Sequence, residues 1–270
     1  MSGAQRRWRL ELSYDGAEFH GFAAQPGTET VAGALAGALA TSLRLVAPPA
    51  LTCAGRTDAG VHALGQVVHV DLPDPLFGDE RGEEAARLAR SCNRQLAGRV
   101  VVIYAAPVAA GFDARFDATS RSYRYLVHES AAASPLLERL AWRVDPPLDL
   151  RSMAQGGYAL LGEHDFRAFC RRPAGRAADE PITRRVLDVS VSEVPDTLSL
   201  AATGRLVRID ITAAAFCHQM VRSIAAALVA VGQGRLSIAD VVAHLGSASR
   251  EGMPAPAPPE GLCLVAVRYS

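Results

Sequence analysis

A chain of 270 residues with 49% hydrophobic and 21% charged side chains has a globular composition, and its length suits one large domain or two compact halves. The 28 basic residues balance 28 acidic ones, so no basic excess advertises a polyanionic partner. Every one of those 28 cations is arginine. Without lysine there is no Schiff base, pyridoxal-phosphate anchor or Walker-type phosphate lysine, whereas arginine suits forked phosphate contacts and stacking on bases. A local arginine face could still bind a polyanion within a neutral whole.

The longest apolar run, IAAALVAV at 224–231, is far shorter than the ~18 residues that span a bilayer, so no membrane association is expected. The opening MSGAQRRWRLEL carries arginines but no apolar stretch, and no secretory signal is expected from it. The five cysteines (53, 92, 170, 217 and 263) are scattered and lack CxxC spacing. Neither a disulfide framework nor a zinc site is therefore expected, and a cytoplasmic, reducing setting is the natural one.

In chain order, WRLELSY (8–14) alternates with Trp8, Leu10, Leu12 and Tyr14 on one face, the pattern of a half-buried strand. Residues 30–45 predict a helix opened by Thr30, residues 50–54 a short strand, and GQVVHVDL (65–72) a strand. EEAARLARSCNRQLAG (83–98) places acids first and arginines later, a well-signalled helix, and 100–108 a buried strand. The order then repeats: strand 121–129, helix 150–162, strands 182–194 and 206–213 with a further strand segment at 198–203, helices 216–234 and 237–246 (Ser237 as cap), and strand 262–269. Segments 72–82, 170–181 and 253–261 read as loops. Two β-α-β-β-α-β units are the ferredoxin-like plan written twice, an α+β fold. The expected domains are residues 1–110, carrying the Asp loop, and 111–270, with a cleft between them.

The chemistry concentrates in CAGRTDAGVHALGQVVHVD (53–71). Gly55 and Gly60 permit sharp turns on both sides of Asp58, and a carboxylate on such a turn projects from a sheet edge. Arg56, two residues away, could keep Asp58 ionised or reach a phosphate. A fixed, ionised aspartate can act as nucleophile, general base or metal ligand. No second acid joins His62 and His69 nearby, so no metal site is expected. His69, inside the alternating strand, is expected to pack structurally, and His62 could be structural or catalytic.

GRTDAGVHA (55–63) resembles the signature of the TruA family of tRNA pseudouridine synthases. YDGAEFHGF (14–22), FDARFDATSRSYRY (112–125), LLGEHDFRAF (160–169), FCHQMVR (216–222) and EGLCLVAV (260–267) resemble further segments of that family, in its order. The resemblance implies an enzyme that isomerises uridine to pseudouridine in the tRNA anticodon stem-loop, at tRNA positions 38–40. It implies a cytoplasmic homodimer, tRNA as partner, no cofactor, and two ferredoxin-like halves forming a continuous mixed, mainly antiparallel sheet with helices on one side. Carried over by residue, Asp58 becomes the catalytic nucleophile and Tyr123 the aromatic stacked on a flipped-out uracil. Arg56 becomes a substrate-binding cation and Arg222 the ionic partner of Asp58. Arg115, Arg121, Arg124, Arg171 and Arg172 are candidates for phosphate contacts. The chain departs from the family at GFAAQ (21–25), VAGAL (31–35) and NRQLAGRV (93–100), which touches tRNA docking rather than these four residues. The alternative function is a non-catalytic RNA-binding module of ferredoxin-like fold.

Overall fold

The computed structural model describes residues 4–77, 83–172, 175, 177, 180–201, 203–247 and 249–270. Parts of the expected loops at 72–82 and 170–181, Arg176 and Asp179 among them, lie outside the described residues. Among the described residues, ten strands and five α-helices make an α+β protein with a mixed, mainly antiparallel sheet. The chain divides into two compact units, Met1–Thr119 with Leu264–Ser270, and Ser120–Cys263.

The first unit runs β1 (Gln5–Tyr14), α1 (Val31–Leu43), β2 (Thr52–Cys53), β3 (His62–Pro73), α2 (Glu84–Leu96) and β4 (Val100–Pro107). Its strand order is β4-β1-β3, continued by the chain's last strand, with β2 paired to β3, and β1 is antiparallel to both neighbours. The alternation of β1 does what its period requires: Trp8, Leu10, Leu12 and Tyr14 are buried while the residues between them are not. Thr30 caps α1 by accepting from the Gly33 N–H at 3.2 Å. Helix α2 ends two residues before the expected stop, because Ala97 takes the left-handed conformation (φ 50°).

The second unit contains β5 (Ala118–Glu129), which enters it at Ser120, then β6 (Trp142–Val144), α3 (Leu150–Tyr158), β7 (Gly162–Asp165), β8 (Thr183–Val194), β9 (Arg205–Ala213), α4 (Met220–Gly232) and α5 (Ile238–His244). The strands follow the order β5-β9-β8-β7, and β6 adds parallel to β5. The last strand, β10 (Leu262–Tyr269), gives its residues from Leu264 onward to the first unit. Nearly all of α4 is buried, and small residues let α3 approach it: a Cβ on Gly156 would stand 3.1 Å from Leu228. Ser237 caps α5 in a full capping box with Asp240.

Several expectations need correction. The described residues of the expected strand at 198–203 form no strand; Leu200 and Ala201 instead pack into a cluster with Leu137, Ala141 and Leu206. Helix α4 starts at Met220, four residues after the periodicity suggests, because Gln219 adopts φ 65° and breaks the helix. Strands β6 and β7 carry no alternation strong enough to read. The largest revision concerns sulfur: Cys170 and Cys217 are joined as a disulfide, with Cα atoms 5.8 Å apart. Sequence spacing could not reveal this pair, since 47 residues separate them and the segment before α4 brings them together.

Candidate active site

The loop that joins β2 to β3 is tied down by side chains rather than by a strand ladder. Below it, the Tyr14 hydroxyl at the end of β1 shares a hydrogen bond with Thr57 Oγ1 at 2.9 Å. Gln66 of β3 donates from Nε2 to the Gly55 carbonyl at 2.8 Å and to the Tyr14 oxygen at 3.3 Å. Its Oε1 accepts from the Val67 N–H at 3.2 Å. Gln66 is fully buried and Tyr14 and Thr57 nearly so.

From the side, the segment after β1 clasps the same loop. Phe22 N–H donates to the Thr57 carbonyl at 3.0 Å, and Gly60 N–H to the Phe19 carbonyl at 3.4 Å. Two glycines make this approach possible. A Cβ on Gly16 would overlap the Val61 carbonyl, and one on Gly21 (φ 89°) would stand 3.0 Å from the Thr57 carbonyl. The YDG and GRTDAG motifs are thus one interlocked structure.

Asp58 sits half-exposed on this platform, next to buried Thr57. Its carbonyl accepts from Val61 N–H at 3.2 Å, which closes the turn, and Gly60 supplies the positive φ of 79°. Arg56 is exposed two residues earlier, so the cation and the carboxylate share one loop. Just upstream, Cys53 is no competing nucleophile: burial pushes its thiol up to about 11, against the lowering influence of Arg56 and Arg115.

The two histidines of the motif are built into the scaffold. His62 Nδ1 accepts from the Gly16 N–H at 3.1 Å and lies 3.0 Å from Asp15 Oδ1. His69 Nδ1 accepts from the Ala114 N–H at 2.9 Å, and its ring meets Phe112 edge-on at 6.3 Å between centroids. The structural expectation for His69 holds.

In the second unit, Tyr123 lies on β5 with its ring edge-on to Phe216, centroids 5.2 Å apart. Phe216 opens the segment that leads into α4, where Arg222 donates from Nε to the Ala257 carbonyl at 2.6 Å. Ala257 N–H returns a bond to the Arg222 carbonyl at 3.1 Å, so the guanidinium is oriented by the proline-rich segment before β10. That segment is itself seated by Tyr125, whose hydroxyl donates to the Pro258 carbonyl at 2.7 Å. Arg171 N–H reaches the His218 carbonyl at 2.9 Å, tying the loop after β7 to the FCHQMVR segment.

Two of the candidate phosphate ligands are instead committed to the fold. Arg121 is buried and donates to the Ala214 carbonyl at 2.8 Å. Arg124 forks onto Asp210 of the neighbouring strand at 2.8 and 3.3 Å. Arg115 is exposed beside exposed Phe116, and Arg171 and Arg172 are exposed as well. Sequence reading passed over Tyr14, Thr57 and Gln66. A signal for Gln66 existed: it interrupts the apolar face of a strand, where an amide is costly without partners.

A family model for tRNA pseudouridine synthase matches residues 158–270. Over the whole chain, the sequence is 45% identical to the tRNA pseudouridine synthase A of Frankia casuarinae, of which the match covers 91%. It is 40% identical to the enzyme of that name from Cutibacterium acnes, over 97% of this chain and 88% of the relative. The match to the one from Neisseria gonorrhoeae is also 40% identical, over 100% of this chain and 94% of the relative.

Proposed function

The chain belongs to the tRNA pseudouridine synthase A family, an isomerase acting on tRNA uridine, and from that premise we propose that it modifies the anticodon stem-loop at positions 38–40 with Asp58 as nucleophile. The observation that carries the reading is the platform under Asp58: an aspartate on a turn whose flanking residues are pinned by Tyr14, Gln66, Gly16 and Phe22. A protein that only bound RNA would have no use for a carboxylate carried on so firmly held a turn.

The reaction breaks the N1–C1′ bond, turns the uracil within the site and forms a C5–C1′ bond. The proton leaves C5 and N1 gains one, so atoms and electrons balance and no co-reactant is consumed. An ionised carboxylate can add covalently to the base or to C1′, or stabilise positive charge at C1′. A stacked base cannot be reached, so the nucleotide must be flipped out, and the aromatic face of Tyr123 would receive it. Arg56 would orient the displaced nucleotide, and Arg222 would be the ionic partner of Asp58. The residues at 1–110 and 111–270 would act as two ferredoxin-like halves of one enzyme, and the working species would be a cytoplasmic homodimer.

The test is pseudouridine formation in unmodified tRNA transcripts, mapped by position, with wild type and Asp58→Asn side by side. Product in the anticodon arm with wild type, none with the variant and tRNA binding retained by both supports the proposal. Binding without product in both supports the RNA-binding module instead.

A further inference from the structure

We propose that Tyr14, Thr57 and Gln66 form a buried positioning device that sets where the Asp58 carboxylate stands, an inference that rests on the synthase reading above. Three polar side chains meet in an otherwise apolar layer. Tyr14 continues the buried row of Trp8, Leu10 and Leu12, and Gln66 stands among buried Val67, Val68 and Val70. Apolar residues there would spare the cost of burying an amide and two hydroxyls. The return is found in what the three groups hold. Gln66 fixes the Gly55 carbonyl on the near side of Arg56, and Tyr14 fixes the Thr57 side chain immediately before Asp58. Gln66 also bonds the Tyr14 oxygen, so the two contacts form a chain from Gly55 through Gln66 and Tyr14 to Thr57.

Residues 55–61 belong to no strand, and their placement comes from these bonds and the clasp by residues 16–22. The clasp holds the Thr57 carbonyl and the Gly60 amide, so the main chain stays near its place without the device. What the buried chain adds is the setting of the Gly55 carbonyl and of the Thr57 side chain, on the two sides of Arg56, and hence the course on which the main chain enters Asp58. Catalytic groups are sensitive to such settings, since a displacement of about 1 Å can cost roughly a hundredfold in rate. None of the three residues is assigned contact with substrate; they act through Asp58.

The experiment compares wild type, Tyr14→Phe, Thr57→Val, Thr57→Ser and the Tyr14→Phe/Thr57→Val double variant. Each is measured for single-turnover pseudouridine formation on a tRNA transcript, for tRNA Kd, and for amide hydrogen exchange over residues 55–60. Tyr14→Phe leads because it removes one oxygen and leaves the ring in the core, whereas Gln66→Leu could fail to fold. Expected are rates about tenfold or more below wild type for Tyr14→Phe and Thr57→Val, with Kd within about twofold. The double variant should be no slower than the slower single one, because both delete the same bond. Thr57→Ser, which keeps the hydroxyl, should return to within about threefold of wild type, and loop exchange should speed up only where the rate falls. Folded variants that turn over within twofold of wild type, or that lose Kd rather than rate, would overturn the device alone. No product from wild type would overturn the synthase reading and the device together.

Discussion

At the scale of single residues, the loop mixes a half-exposed carboxylate, Asp58, with side chains that are bonded into the scaffold. By its place in GRTDAGVHA, His62 could be structural or catalytic, and its Nδ1 is occupied by the Gly16 N–H and faces Asp15. His62→Ala should therefore lower turnover by about tenfold at most and lower thermal stability, while Asp58→Asn removes turnover with little change in stability. Equal damage from the two substitutions would favour an acid–base pair of Asp58 and His62 instead. Cys53 gives a second contrast. With its thiol raised from 9.0 to about 11 by burial, it stays protonated at neutral pH. The sign follows: the folded state keeps a proton that the unfolded chain loses, so this contribution to stability is complete below pH 9 and disappears as pH rises towards 11. Alkylation of Cys53 by iodoacetamide at pH 8 should accordingly be much slower in the folded protein than in urea, and Cys53→Ser should leave turnover within about twofold of wild type.

Between elements, what matters is how closely one segment lies against another. Gly21 combines a φ of 89° with an approach of 3.0 Å to the Thr57 carbonyl. Gly21→Ala should cost about 1–2 kcal/mol from the backbone conformation alone, and turnover should fall by more than that loss explains, because the added methyl presses on the residue before Asp58. Thermal unfolding and single-turnover rates measured together test this. His69 joins β3 to the turn at Ala114, and its pKa is lowered first by burial and then by Arg7, with the carboxylates of Asp113, Asp71 and Asp117 opposing but not prevailing. Below the ordinary histidine value of roughly 6.5 the unfolded chain takes up a proton that the folded one resists. Stability should therefore be lost as pH falls below that value, and protonation of Nδ1 would also break the bond from Ala114. His69→Asn, which offers an acceptor that does not titrate, should flatten the fall in melting temperature between pH 7 and pH 5. Much at this scale was legible beforehand. β1 announces itself through strict alternation, α1 through its Thr30 cap and α2 through acids at its start and arginines later, whereas β6 and β7, three and four residues long, are too short to carry a period.

For the molecule as a whole, a net charge of zero on 28 arginines and 28 acids means that any tRNA affinity must come from local arrangement. Arg56, Arg115, Arg171 and Arg172 are exposed, while Arg121 and Arg124 are spent on the sheet. The expected outcome is a tRNA Kd that weakens by about tenfold or more between 50 and 200 mM salt. Arg115→Ala should reduce the salt slope by about one contact, and Arg124→Ala should leave it unchanged and cost stability instead. A salt slope altered equally by both variants would show that the sorting of these arginines is wrong.

Periodicity, glycine punctuation and contiguous motifs are local properties of the chain, so the α+β class, the doubled element order, the family and the loop on which Asp58 and Arg56 stand are legible in the order of residues. The remainder rests on pairings between distant segments. That Arg124 meets Asp210, that Cys170 finds Cys217, and that Tyr14 bonds both Thr57 and Gln66 all depend on residues 43 to 86 positions apart in sequence. Such pairings are set by how strands register and where the chain turns back, and no single stretch of residues encodes them.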